Sequence, residues 1–198
     1  MFMKILFLFF IFFQIYAHGK ITPEGNLYIA QINAKLREVS NIKAEFRQNV
    51  DGNVEKGMIF YKKDHGLLMR YQSIPVTILV TNAVTTYYDS KLEQKSQMPT
   101  QKSAAKIFTS QLEINNNTFD IEKIEVLPEA IIVRATIKNL KNEGIFSMYF
   151  SKTDFLLRRV DIESPETHQK NRIDLYSYSF ANISDERFKS INIDRNLK

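Results

Sequence analysis

Cysteine is absent from all 198 residues, which excludes disulfides, thiolate nucleophiles, cysteine-ligated metals and an acylated cysteine behind a leader. Histidine is almost as scarce: His18, His65 and His168 stand alone in polar or turn-like contexts, outside any HExxH or metal-ligand spacing. Only six glycines are present and none forms a phosphate-cradling loop, while Ser73, Ser103, Ser147 and Ser177 lack the G-x-S-x-G context of a nucleophile elbow. Glu122, Glu125, Asp154, Asp161, Glu163 and Asp174 sit singly on expected strand edges or turns. Isolated solvent-facing acids are the ordinary reading of such positions, and a glycosidase-type pair is a matter of geometry rather than spacing. These absences argue against an enzyme of familiar type, and no cofactor or metal is expected.

Long apolar runs are missing too, with one short exception at the start. Residues 1–17, MFMKILFLFFIFFQIYA, carry Lys4, an apolar run from Ile5 to Phe13 and Ala17 ahead of polar His18-Gly19-Lys20. That is the layout of a cleavable signal peptide, and Gln14 comes too early for a span of roughly 18 apolar residues. Cleavage after Ala17 or after Gly19 leaves one expected domain, residues 18–198, in the periplasm and without an anchor. The formal net charge is +5. Lys62-Lys63, Lys102 with Lys106, and Arg158-Arg159 are scattered among acids, which predicts a solvated surface and no nucleic-acid partner.

What the chain does have is strand pattern. Leu27 to Val39 places Ile29, Ile32, Leu36 and Val39 at spacings of three, four and three, which predicts an amphipathic helix behind Pro23. From Ser40-Asn41 the period changes to two, with Ile42, Ala44, Phe46 and Gln48 on one face. Residues 57–97 read as short aromatic-rich strands separated by turn residues such as Asp64-His65-Gly66 and Asp89-Ser90. Lys102 to Leu112 predicts a second short helix, too weak to stand without an apolar surface beneath it. Beyond Thr118, strands are expected over Phe119–Val126, Ala130–Lys138, Ile145–Phe150, Phe155–Ile162 and Arg172–Phe180, with turns roughly 8 to 12 residues apart, the mark of an antiparallel meander.

Of fifteen Phe, Phe2, Phe7, Phe9, Phe10, Phe12 and Phe13 belong to the leader. The remaining Phe and most of the nine Tyr exceed what a single sheet carrying two helices needs for one layer of contact. Any one of them reads first as core; together they predict an apolar cavity under the helices.

The order of these segments resembles the periplasmic outer-membrane lipoprotein carrier family, LolA. Ile42-Lys43-Ala44-Glu45-Phe46-Arg47-Gln48 is similar to that family's entry strand, and Gly57-Met58-Ile59-Phe60-Tyr61-Lys62 to its glycine-led second strand. Gly66 to Tyr71, Pro75, Ile78 to Asn82, and Tyr87-Tyr88-Asp89 with Gln94 follow in order. Lys102 to Leu112 resembles the helix over the cavity, and Tyr178-Ser179-Phe180 with Asn182 and Phe188 the closing strand. The family's strand-ending Arg-Pro, which hydrogen-bonds the lid, is replaced by Lys62-Lys63-Asp64-His65-Gly66, its DG turn by Asn82-Ala83, and its usual proline near the C-terminus is missing after Phe188.

The resemblance implies a mainly β (α+β) fold: an incomplete antiparallel β-barrel, or half-barrel, with an N-terminal helix and a helical lid over a hydrophobic cavity. It implies a monomeric, non-enzymatic carrier that takes acylated lipoproteins from an inner-membrane ABC release complex and delivers them to an outer-membrane acceptor. The candidate acyl-chain cavity residues are Phe46, Phe60, Leu68, Ile78, Tyr87, Ile107, Phe108, Ile132 and Phe146, with Lys63 as the lid latch. A one-residue slip of parity would turn any strand residue to the other face. Two other readings stay open: a lipid-binding or stress-sensing module on the same scaffold, since fold does not fix function, and a secreted carboxylate-pair hydrolase.

Overall fold

The computed structural model describes residues 22–109, 113–189 and 191. The leader and its cleavage point lie outside the described residues, as do residues 110–112 at the end of the expected lid helix. Among the described residues no helix is long and apolar enough to cross a membrane.

Helix α1, Pro23–Glu38, begins four residues before the expected start at Leu27 because its start is set by a cap. The Thr22 hydroxyl accepts from the Gly25 amide at 3.1 Å, Pro23 fills the first turn, and Glu24 lies at the positive end of the helix dipole. Ile32 is fully buried at the centre of its apolar face.

Eleven strands follow: β1 Asn41–Val50, β2 Asn53–Lys62, β3 Gly66–Tyr71, β4 Val76–Val80, β5 Val84–Asp89, β6 Gln94–Pro99, β7 Phe119–Val126, β8 Ala130–Ile137, β9 Ile145–Ser151, β10 Leu157–Glu163 and β11 Lys170–Ser179. A short helix α2, Glu186–Lys189, follows the last strand. The β1–β2 hairpin turns on Asp51-Gly52, both at positive φ, the pairing that matches strand twist in a two-residue loop. Strand β10 starts two residues later than expected because Phe155 adopts φ 56 in the preceding turn.

All strand pairs are antiparallel, in the order β6-β5-β4-β3-β2-β1-β11-β10-β9-β8-β7. The first and last strands therefore pair in the middle, and β6 and β7 are the two edges of a sheet not closed into a barrel. Among the described residues the fold is mostly β with two helices, an open half-barrel. One consequence is topological: the connection from β6 to β7 must cross from one free edge to the other.

That connection covers the inner face. It holds two 3₁₀ turns, Thr100–Lys102 and Ala104–Phe108, rather than one α-helix. Short 3₁₀ pieces suit a segment whose ends are fixed by the sheet edges and whose own helical drive is weak. The core on this side has two parts. Ile32 of α1 and Ile107 of the lid pack with Phe119, Ile131, Val133, Phe146, Met148 and Phe150 of β7–β9. Phe46, Ile59, Leu67, Met69 and Val80 of β1–β4 pack with Ile173 and with Ala105 and Phe108 of the lid.

The outer face of β2–β4 is also covered. Phe60, Leu68 and Leu79 pack against Ile183 and Phe188 of the C-terminal segment. Lys62 Nζ donates to the Ile183 carbonyl at 2.8 Å and pairs with the Asp185 carboxylate, and the Arg187 guanidinium lies 4.8 Å from the Phe60 ring centroid. The ammonium bonded to it holds the Asp185 carboxyl below its usual range.

Candidate functional site

The lid is pinned at both ends by polar contacts. At its start, Thr100 is fully buried and its hydroxyl lies 2.9 Å from that of Thr85 on β5, while the Thr100 amide donates to the Ala83 carbonyl at 3.1 Å. Beyond the lid, Asn33 of α1 mimics a strand partner: its Nδ2 donates to the Ile114 carbonyl at 3.0 Å and its Oδ1 accepts from the Ile114 amide at 2.8 Å. Between these anchors, the Ala104 amide donates to Glu143 Oε2 at 3.0 Å. Glu143 belongs to the turn between β8 and β9, so this bond ties the lid to the opposite half of the sheet.

Beneath the lid lies a cavity of ≈ 100 Å³. Leu36 of α1, Val39 just past its end, Ile42 and Ala44 of β1, and Ile59 and Tyr61 of β2 line one side. Leu67, Leu156, Leu157, Leu175 and Tyr178 continue the wall, and Phe108 with Thr109 closes the top. Among the described residues Lys35 is the one charged residue in the lining. All these strand positions are at the same end of the sheet, next to the C-terminal turn of α1.

Burial raises the pKa of the cavity phenols. The Tyr178 hydroxyl donates to the Leu157 carbonyl, and loss of solvent pushes its pKa well up, against the opposing pull of Arg158, whose guanidinium sits 4.8 Å from the ring centroid. Burial also raises Tyr61, with Asp64 adding in the same direction.

Six of the nine cavity candidates lie on the lid side of the sheet or in the lid itself, yet only Phe108 touches the cavity. Phe46, Ile107 and Phe146 are sealed in the core. Phe46 fits because Gly57 faces it: a Cβ at 57 would come within 2.6 Å of the Phe46 ring. Ile78 packs at the edge of the same core, and Tyr87, opposite Ile78, is 43% exposed at the rim. Phe60 and Leu68 turn to the outer face under the C-terminal segment, and Ile132, opposite Tyr149, turns outward as well. The inward residues are their neighbours Ile59, Leu67, Ile131 and Val133.

Lys63 does not reach the lid among the described residues. Its Nζ donates at 3.3 Å to the Arg37 carbonyl, one of the orphan acceptors in the last turn of α1. Among the described residues, the side chain that bonds the lid from the opposite half of the sheet is Glu143.

No family model matches this chain, and no curated protein matches it. Among solved structures, a putative outer membrane lipoprotein-sorting protein domain from Vibrio parahaemolyticus superposes with a TM-score of 0.52 at 10% identity, covering 82% of this chain and 95% of that one. The likeness is one of fold. An uncharacterized conserved protein from Thermus thermophilus gives 0.54 at 9% identity over 85% and 94% of the two chains. A DUF1329 family protein from Desulfovibrio piger gives 0.51 at 11% over 86% and 98%. The open half-barrel is thus shared with a lipoprotein-sorting domain, over nearly the whole of each neighbour.

The remaining lining residues carried signals in the sequence. Leu36 and Val39 end the helical stripe, and Ile42 and Ala44 open the first alternating strand. Leu156, Leu157, Leu175 and Tyr178 come from distant segments that meet only through the β1–β11 and β10–β11 pairings.

Proposed function

We propose that this protein is an exported, non-enzymatic periplasmic carrier that shelters the acyl chains of lipoproteins released from the inner membrane until they reach the outer membrane. The observation that carries the reading is the apolar cavity beneath a strap joining the sheet's two free edges. Among the described residues its lining holds no carboxylate, serine or histidine, which supports a binding rather than a catalytic role. Each buried CH₂ of a chain contributes about 0.8 kcal/mol, so affinity needs no bond to be made or broken.

The volume adds a mechanical requirement. Ligand pockets usually enclose roughly 300 to 1,000 Å³, against ≈ 100 Å³ here. On this reading the cavity is in its closed form, and cargo enters with the lid swung away from the seats of Ile107 and Phe108.

The test is release of labelled lipoproteins from spheroplasts, comparing the mature protein with buffer. Soluble one-to-one complexes are expected. No release, with folded protein and a working release complex, would overturn the carrier role.

A further inference from the structure

Among the described residues the cavity has one cation in an otherwise uncharged and mostly apolar lining. Lys35 lines it and keeps 30% of its side chain exposed, so the stem lies against apolar wall while the ammonium stands at the boundary with solvent. Its present partner is Glu38, at 3.0 Å, one turn further along α1. The Glu38 side chain is 71% exposed, and an ion pair so open to water contributes little, so a ligand anion can displace it.

Size narrows the ligand further. A dry apolar cavity of roughly 150 Å³ takes one benzene-sized guest, and this one offers ≈ 100 Å³. With the lid shut there is room for the end of one chain and no bundle of several.

From these two observations we infer that the cavity takes the end of a single acyl chain carrying an anionic head group, with the chain end under Phe108 and the head paired to Lys35 at the mouth. The shared chemistry is one apolar tail and one negative charge, whether a free carboxylate or the phosphodiester of a lysophospholipid. This assignment rests on the acyl-chain reading of the cavity and names a ligand class that reading leaves open. The neutral phenols of Tyr61 and Tyr178 add no competing charge beside the chain.

The experiment is titration of the mature protein, below micelle concentrations, with dodecanoate, dodecanol and 1-dodecanoyl-lysophosphatidylglycerol. Either anion should bind about fivefold tighter than the alcohol, and Lys35→Gln should bring the anion-to-alcohol affinity ratio to about one. Glu38→Gln, which removes the competitor, should tighten the preferred anion by about twofold. The tighter of the two anions identifies the head group as carboxylate or phosphodiester. Equal binding of anions and alcohol, or a preference that survives Lys35→Gln, would overturn the assignment and leave the acyl-chain reading standing. Failure of all three ligands to bind a protein that melts cooperatively would instead overturn the acyl-chain reading itself.

Discussion

Removing the carboxylate of Glu143 should loosen the lid without loosening the sheet. The Ala104 amide donates to Glu143 Oε2 at 3.0 Å, and a charge-assisted bond in an exposed setting contributes about 1 kcal/mol. One kilocalorie is roughly a fivefold change in the ratio of open to closed lids. Glu143→Ala should therefore speed amide exchange across residues 104–108 about fivefold, and Glu143→Gln, which keeps an acceptor but loses the charge, about twofold. Peptides from β9 should exchange at the wild-type rate, since Phe146, Met148 and Phe150 are buried independently of the latch. Lys63→Leu is the contrast: its bond goes to the Arg37 carbonyl, so the last turn of α1 should fray while the lid stays protected. Hydrogen exchange read by mass spectrometry decides between the two. Unchanged lid exchange in Glu143→Ala, or equal lid loosening in Lys63→Leu, would refute the assignment of the latch.

Phe188 is 5% exposed against Phe60, Leu68 and Leu79, so Phe188→Ala should cost about 3 kcal/mol, read as a drop in urea midpoint at constant m-value. A loss within about 0.5 kcal/mol, typical of surface changes, would show that the C-terminal segment is no structural layer. Gly57→Ala should cost about 2 kcal/mol or more, because its Cβ would stand 2.1 Å from the Arg70 carbonyl oxygen as well as 2.6 Å from the Phe46 ring. Phe46→Leu should rescue it only partly in the same denaturation assay, and full rescue would mean that the backbone clash is unimportant. Burial first, then the neighbouring Tyr87 and Glu55, push the Tyr71 phenol up to about 12. The native state then keeps a proton that the unfolded chain releases near pH 10, so stability present below pH 10 falls as pH rises towards 12, by on the order of 1–2 kcal/mol after solvent screening. Tyr71→Phe should flatten part of that slope, and an identical slope in both proteins would contradict it.

The outline of the fold was legible because most elements carry a one-face pattern. The helix stripe from Ile29 to Val39 and the alternation from Ile42 to Gln48 each show a single apolar face, and both elements form where the pattern runs. The parity of β2 and β3 was not legible, for a physical reason. In β2, Ile59 and Phe60 are adjacent and both buried, as are Leu67 and Leu68 in β3, because the lid covers one face and the C-terminal segment the other. A strand buried on both sides loses its period of two. Ile131-Ile132 in β8 repeats the ambiguity with a different cause, since Ile132 is only half-buried on the outer face. The latch lay beyond any local signal: Glu143 and Ala104 are brought together by the crossing of the sheet from edge to edge, not by spacing. The Asp51-Gly52 turn, which fixes the β1–β2 register, is a local hairpin signal absent from the sequence reading above.

Coverage on both faces also explains where motion is confined. The wall formed by β2–β4 is held by apolar contacts from two sides and by the Lys62 bonds to Ile183 and Asp185, so bending it would expose both layers together. The lid is held differently. Between the buried Thr100 hydroxyl and the Asn33 clamp on Ile114, the bond from Ala104 to Glu143 ties it to the far half of the sheet, and its apolar hold comes from Ala104, Ala105, Ile107 and Phe108. Displacing Ile107 and Phe108 costs several kilocalories of burial, about 1.5 to 3 kcal/mol for each large side chain, and a bound acyl chain returns a similar amount at about 0.8 kcal/mol per CH₂. A chain of roughly five or six buried CH₂ groups, by the same estimate, offsets the opening. On the proposed acyl-chain reading, a longer stretch of chain takes the seats of Ile107 and Phe108, and that exchange requires no change in the wall.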